Sequence, residues 1–303
     1  MLDKLSISDK LTLQKMLAFL IVTVIALTLK DRPTVYFIVT ATIAYGHFLL
    51  GGLYKLSSKR KVPTLKLVLM ALLGCAMLYY FSYGPDVAAK DKFLYVVTVL
   101  YAIFHSVTDD QFTGNFFKSK YTNSQIFGCL ALLSLLFASQ LYDLYPIIIA
   151  PILLLAGLLF GSLYIYESLS EGVKVANLWI IFQIVVVVLV IFSSINVGLY
   201  LFFFIGLYHV LLFYMHYFLK ITSIEKPKNF LHSKKGYLIA AFLANIFIVA
   251  LYVLISHFHI KGLYFIFSLK FFFIFHLLHF ISTTRYYEFR AFFKSSQSLV
   301  KIK

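Results

Sequence analysis

Long apolar stretches separated by short polar loops run along almost the whole chain. Each stretch is near the ~20 residues that a helix needs to cross a bilayer. Because a backbone in lipid must satisfy its own hydrogen bonds, the stretches are predicted to be helices rather than strands. The pattern predicts ten spans, at about 12–29, 33–54, 65–83, 92–110, 124–142, 146–166, 174–193, 195–219, 237–256 and 262–284.

No Gly/Ser-rich linker or shift in composition divides these segments. The predicted fold is therefore an all-α, polytopic transmembrane helix bundle. Residues 1–285 form a single transmembrane domain, and residues 286–303 form a basic cytoplasmic tail.

The composition supports a membrane protein. Hydrophobic residues make up 61% of the 303 residues, charged residues make up 13%, and the mean hydropathy is +0.90. A soluble domain of this size cannot bury so much apolar surface. The net charge of +15 raises the possibility of a nucleic-acid partner, but most of the charges lie in short loops between apolar runs. We therefore expect membrane lipids, and no nucleic acid, as partners, in a multi-pass protein of the cell (inner) membrane.

The distribution of lysine and arginine predicts the orientation. With ten spans, 21 of these residues fall at the N-terminus, in alternate loops and in the C-terminal tail, and 5 fall on the opposite side. Positively charged loops stay in the cytoplasm. Both termini are therefore predicted to be cytoplasmic.

Four even-numbered spans each carry a histidine 14 residues after the approximate start of the span, counted from residues 33, 91, 195 and 262, and these are His47, His105, His209 and His276. In this topology the even-numbered spans run toward the cytoplasm. At 1.5 Å per residue, the four side chains lie about 21 Å into a ~30 Å hydrocarbon core. The spacing therefore predicts one layer of imidazoles in the cytoplasmic leaflet.

Other ionisable residues lie toward the same end of the spans. His216 follows His209 by seven residues, His279 follows His276 by one turn, and the carboxylates are Asp109, Asp110 and Glu167. Ionisable groups inside a membrane are costly and mark functional sites. Imidazoles that meet at one depth, with carboxylates to orient them, suit a transition metal. The alternative is that each histidine is a hydrogen-bonded core residue or an interfacial anchor.

The remaining histidines, His232, His257 and His259, lie in or beside loops, where we expect water to solvate them. Lys270 falls in the middle of a predicted span. It either lines a cavity or extends toward a polar neighbour.

The order of several motifs resembles that of the Brp/Blh family of membrane β-carotene dioxygenases, over about residues 40–285. The motifs are YGHFLLGGLY (45–54), FHSVTDDQF (104–112), YIYESL (164–169), LYHVLLFYMHYF (207–218), NFLHSKKGYLIAAFL (229–243) and IFHLLHF (274–280). The resemblance implies cleavage of a polyene double bond to two aldehydes, with a carotenoid and O₂ as substrates.

The expected function is that of an Fe(II)-dependent dioxygenase of the membrane, in which histidine-held iron activates O₂ beside a lipophilic polyene. The expected iron ligands are His47, His105, His209 and His276, with His216 and His279 as replacements. Asp109, Asp110 and Glu167 are expected to orient the imidazoles.

Two other functions stay open. In the first, two histidines on facing helices clamp haem b in an electron-transfer protein. In the second, the histidines and acids form the proton relay of a proton-coupled transporter.

Overall fold

A computed structural model describes residues 7–57, 64–116, 127, 130–131, 134, 149–170, 197–222 and 229–283. The α-helices are α1 Ile7–Thr28, α2 Pro33–Ser57, α3 Thr64–Ser82, α4 Val87–Phe116, α5 Ile149–Ser170, α6 Val197–Thr222, α7 Lys234–His257 and α8 Leu269–Thr283. Two 3-10 helices, Phe230–His232 and Lys261–Phe267, complete the regular structure. No strand occurs in the described ranges, so the all-α prediction is confirmed for them.

Two helical segments in the described part, Pro33–Tyr54 and Lys234–His257, are long and apolar enough to cross a bilayer. Shorter apolar helical stretches are Leu13–Thr28, Val68–Ser82, Pro151–Glu167 and Leu269–Ile281. The predicted spans 124–142 and 174–193 fall largely or wholly outside the described residues, and so does the tail 286–303. The number of spans and the cytoplasmic location of the termini stay predictions.

The chain divides into two compact units. One unit comprises Thr34–Ala102 and His209–Thr283, and we call it the histidine unit because it contains most of the predicted ligands. The other comprises Met1–Pro33, Ile103–Tyr208 and Thr284–Lys303. The single domain 1–285 stays a prediction from the sequence.

Within the histidine unit, the segments of α2, α4, α6 and α8 run in the same direction, as the sequence predicts for even-numbered spans. Ring contacts establish this because later residues on one helix meet later residues on the next. The pairs are His47–Phe213 and Tyr54–Tyr217 for α2 with α6, Phe37–Phe272 and Phe48–His279 for α2 with α8, and Tyr95–Phe273 and Tyr101–Phe280 for α4 with α8. Histidines on three of these helices are thereby brought to one region.

The predicted span 262–284 is not one continuous α-helix, which corrects the sequence interpretation. Lys261–Phe267 is a 3-10 helix, Ser268 is extended with φ −91° and ψ 149°, and α8 begins only after it. The hydroxyl of Tyr45 on α2 donates to the carbonyl of Ile266 at 2.8 Å. In a continuous helix that carbonyl would accept from the backbone N–H of Lys270. Tyr45 therefore stabilises the break.

Because of this break, Lys270 lies in the first turn of α8 rather than in the middle of a helix. Its Nζ donates to the carbonyl of Phe81 at 2.7 Å and lies 3.2 Å from a carboxylate oxygen of Asp91. Phe81 is in the last turn of α3, where backbone carbonyls have no helical partner. Lys270 thus caps α3 and joins it to α4 and α8.

Gly46 allows α7 to approach α2 closely. A Cβ at this position would lie 2.6 Å from Oδ1 of Asn245 and 2.8 Å from its Cγ. The Asn245 amide is held by hydrogen bonds to Tyr214 and Ala241, so it is not a freely moving side-chain end. Any residue larger than glycine at position 46 would therefore overpack the contact between α2 and α7.

We expect Gly46→Ala to destabilise the fold by about 1–3 kcal/mol, the usual cost of overpacking a core. Gly52→Ala is the matched control on the same helix, since a Cβ at Gly52 meets nothing within 4 Å. The control should be neutral or stabilising by about 0.5–1 kcal/mol, because alanine favours a helix over glycine. Thermal unfolding in detergent measures both. Equal midpoints for the two variants would contradict the close approach.

Candidate functional site

His47 lies at the centre of a group of three imidazoles in the histidine unit. Its ring centre is 6.2 Å from that of His209 and 5.5 Å from that of His279, and both pairs are nearly perpendicular. We call His47, His209 and His279 the imidazole group. Three helices, α2, α6 and α8, each contribute one member.

Aromatic rings pack against two members of the imidazole group, His47 and His279. The ring of Phe213 packs on edge against His47 with 4.1 Å between centres, and Phe48 lies 4.2 Å from His279. His47 is 4% exposed and His209 is 9% exposed. His279 is half-buried. The aromatic contacts restrict rotation of His47 and His279, and burial of His47 and His209 strengthens any electrostatic interaction that these two make.

Helical spacing explains part of this arrangement. His209 and Phe213 are four residues apart on α6 and therefore share a face, so both meet His47 on α2. Phe48 follows His47 directly and turns toward α8, where it contacts both His276 and His279. The apolar residues near each histidine in sequence thus supply the side chains that pack against the imidazoles.

His276 has a defined hydrogen bond of its own. Its Nδ1 lies 2.7 Å from the carbonyl oxygen of Phe272, one turn earlier on α8. Because a carbonyl can only accept, Nδ1 carries the proton, and in the neutral ring the lone pair is on Nε2. A hydrogen bond from the other ring nitrogen to a carbonyl is the usual arrangement of a metal-binding histidine. The ring is 3% exposed and packs 4.0 Å from Phe272 and 5.0 Å from Phe48.

The chemistry of these residues suits Fe(II). Neutral imidazole is a common iron ligand, and two imidazoles on one ion have ring centres roughly 5–6 Å apart, because each metal–nitrogen bond is about 2 Å. The separations of 5.5 and 6.2 Å are close to this spacing. Among the described residues, no three His, Cys, Asp or Glu side chains are already arranged to hold a metal ion. Binding of one ion by the imidazole group would therefore require its side chains to rearrange.

The other unit contains His105, which is 3% exposed on α4. Asp109 and Asp110 follow it by four and five residues on the same helix, but their side chains lie outside the described part of the chain. Glu167 is half-buried near the end of α5, and its backbone carbonyl accepts a hydrogen bond from Ser170. The roles of these four residues as ligand and orienting carboxylates stay predictions.

The remaining histidines differ in exposure. His216, the other predicted replacement ligand, is half-buried on α6. His257 and His259 are exposed, as predicted for residues beside a loop. His232 is half-buried rather than fully solvated, since its Nδ1 pairs with Oδ1 of Asn229 at 2.7 Å and its ring packs on Tyr54.

Sequence reasoning missed the residues that pack against the imidazoles, namely Phe48, Phe213 and Tyr214. The ring centre of Tyr214 is 6.3 Å from that of His47. A signal was present for Phe213, because it lies one helical turn after a predicted ligand. In a chain with 33 phenylalanines, however, such spacing does not distinguish a site residue from ordinary packing.

No protein-family model, curated protein or solved structure matches the chain.

Proposed function

We propose that this protein is an integral-membrane, non-haem Fe(II) dioxygenase that cleaves a lipophilic polyene, with a carotenoid as the expected kind of substrate. The observation that carries the proposal is the imidazole group, three histidines from three helices in which His47 and His209 are buried, His279 is half-buried, and aromatic rings pack against His47 and His279. Neutral imidazoles that meet in an apolar, aromatic environment are suited to a transition-metal ion.

The distribution of exposed apolar side chains supports a membrane location. α3, α5 and α7 each present large hydrophobic residues to their surroundings, among them Leu65, Leu69, Leu72, Leu155, Leu158, Leu159, Phe242, Leu243 and Phe247. Soluble proteins rarely expose such continuous apolar surface, whereas lipid covers it at no cost. The proposal includes ten spans, both termini in the cytoplasm, and the cell (inner) membrane.

Within the histidine unit, His47 and His209 would hold the ion together with His279 or His276 from α8. Fe(II) bound there would supply the open coordination positions at which O₂ is activated. The surrounding residues of the protein orient the imidazoles. Phe213 packs edge-on against His47, and Phe48 packs at a tilt against His279, so both rings restrict rotation of the imidazoles.

The surroundings of the site suit an apolar substrate. Tyr45 lies among Phe267, Phe271, Phe272 and Phe275, with ring centres 5.6–6.4 Å away. Phe48 also contacts Phe275, at 5.1 Å, which joins this aromatic cluster to His276 and His279. The phenylalanine side chains of this cluster can bind a conjugated hydrocarbon through apolar contact and stacking, and they offer a polar substrate no hydrogen bonds.

Purification of the full chain in detergent, with iron analysis and absorption spectroscopy, tests the proposal. We expect about one iron per chain, no Soret band, and conversion of carotenoid to aldehyde in membranes of cells that accumulate carotene. A Soret band would replace the proposal with the haem b protein. Iron without polyene consumption would mean that the substrate is wrong, and a chain without metal would favour the transporter or a structural role.

A further inference from the structure

Asn245 on α7 is fixed in orientation by two hydrogen bonds. Its Nδ2 donates to the carbonyl of Ala241 at 2.8 Å and to the hydroxyl of Tyr214 at 3.0 Å. A carbonyl can only accept, so the amide nitrogen, and not the oxygen, must face Ala241. The second N–H of the same nitrogen then donates to the oxygen of the Tyr214 hydroxyl.

Tyr214 on α6 is therefore held at both ends. Its hydroxyl accepts from Asn245, and its backbone carbonyl accepts from the hydroxyl of Tyr237 at 2.9 Å. Both donors belong to α7. The ring between these two anchors has little freedom to turn.

The ring of Tyr214 lies beside His47. The two ring centres are 6.3 Å apart with 73° between the planes, and Phe213 packs on His47 at 4.1 Å. Asn245 reaches the same place from α7, since it packs against Gly46, the residue directly before His47. The Tyr214–Asn245 pair thus borders both the side chain of His47 and the backbone that carries it.

We propose that Tyr214, held by Asn245, is a positioning residue that sets the orientation of the His47 imidazole at the metal site. The inference rests on the proposed function, because it takes His47 as a metal ligand. A ligating side chain that can rotate loses conformational entropy when it binds a metal. Groups that fix the orientation of a ligand therefore change metal affinity by about 10–100-fold. Loss of the Tyr214 hydroxyl frees the ring from Asn245 and leaves His47 less constrained.

Binding of Co(II) to the purified full chain tests this inference, because its visible absorption bands report the number and arrangement of ligands without any turnover. We expect Tyr214→Phe and Asn245→Leu each to weaken Co(II) binding about 10–100-fold and to shift these bands. Tyr214→Phe keeps the ring and its packing, so it remains informative if Asn245→Leu folds poorly. Tyr264→Phe is the matched control, since it removes an exposed hydroxyl that also bonds to a carbonyl, that of Ser256. It should leave affinity and spectrum unchanged.

Thermal unfolding of the same samples separates positioning from general stability. Variants with a lower melting temperature but wild-type Co(II) affinity and spectrum would overturn the inference and leave the proposed function standing. A wild-type chain that binds neither Co(II) nor Fe(II) would overturn the proposed function, and the inference with it.

Discussion

Replacing His47 with alanine is expected to remove the bound iron and to abolish polyene cleavage. The His47 ring is the member of the imidazole group that lies next to both of the others. Its loss removes a ligand and also leaves the ring of Phe213 without the imidazole against which it packs. The effect on iron affinity should therefore exceed the roughly 100-fold that loss of an orienting partner produces. His209→Ala should have a similar effect, and so should either His276→Ala or His279→Ala, whichever residue supplies the ligand from α8.

Iron analysis of the purified variants measures this prediction, with size-exclusion chromatography to show that each variant is folded. His257→Ala and His259→Ala are the controls, because both side chains are exposed and they lie beside the turn after α7. They should keep iron and activity nearly intact. If the variants of the imidazole group also keep full iron content, the histidines are structural and the enzyme proposal should be dropped.

Hydropathy alone was enough to locate the described α-helices, apart from the start of α8. The predicted stretch 33–54 corresponds to α2, which begins at Pro33, and 237–256 corresponds to α7, Lys234–His257. The first N–H groups of a helix have no partner within the helix, so proline, which lacks an N–H, is well tolerated there and marks a helix start. The other ends differ by a few residues because polar residues at helix ends, such as Ser57 and Lys234, carry no apolar signal.

The break before α8 could not be predicted in the same way. Residues 262–284 are apolar almost throughout, and such a run does not reveal where a helix is interrupted. The break is stabilised by the hydroxyl of Tyr45, which lies 221 residues from Ile266 in sequence. A tertiary hydrogen bond of this kind has no local signature.

The sequence predicted histidine as the residue type of the candidate site, but not which histidines lie next to each other. The spacing of His276 and His279 places both near one face of α8, so either can meet a neighbouring helix. Which of them lies nearer to His47 depends on how α8 is rotated against α2, and the structure gives the 5.5 Å contact to His279. Rotation is set by packing, here by Phe48 between the helices, and the sequence pattern does not encode it.

Reporter fusions made after residue 303 and after residue 85 are expected to lie on opposite sides of the membrane, with the first in the cytoplasm. Residue 85 falls in the turn between α3 and α4, on the side that carries only 5 of the assigned lysines and arginines, against 21 on the other. Moving the more basic loops across a bilayer opposes the positive-inside preference.

The second fusion tests more than orientation. Within the histidine unit α2, α4, α6 and α8 share one direction, so an odd number of other crossings must lie between any two of them if all four span the bilayer. Ten spans satisfy this condition and return the C-terminus to the cytoplasm. A cytoplasmic signal from both fusions would mean that the number of crossings after residue 85 is even rather than odd. The span count would then be wrong, and with it the argument that the histidines share one depth.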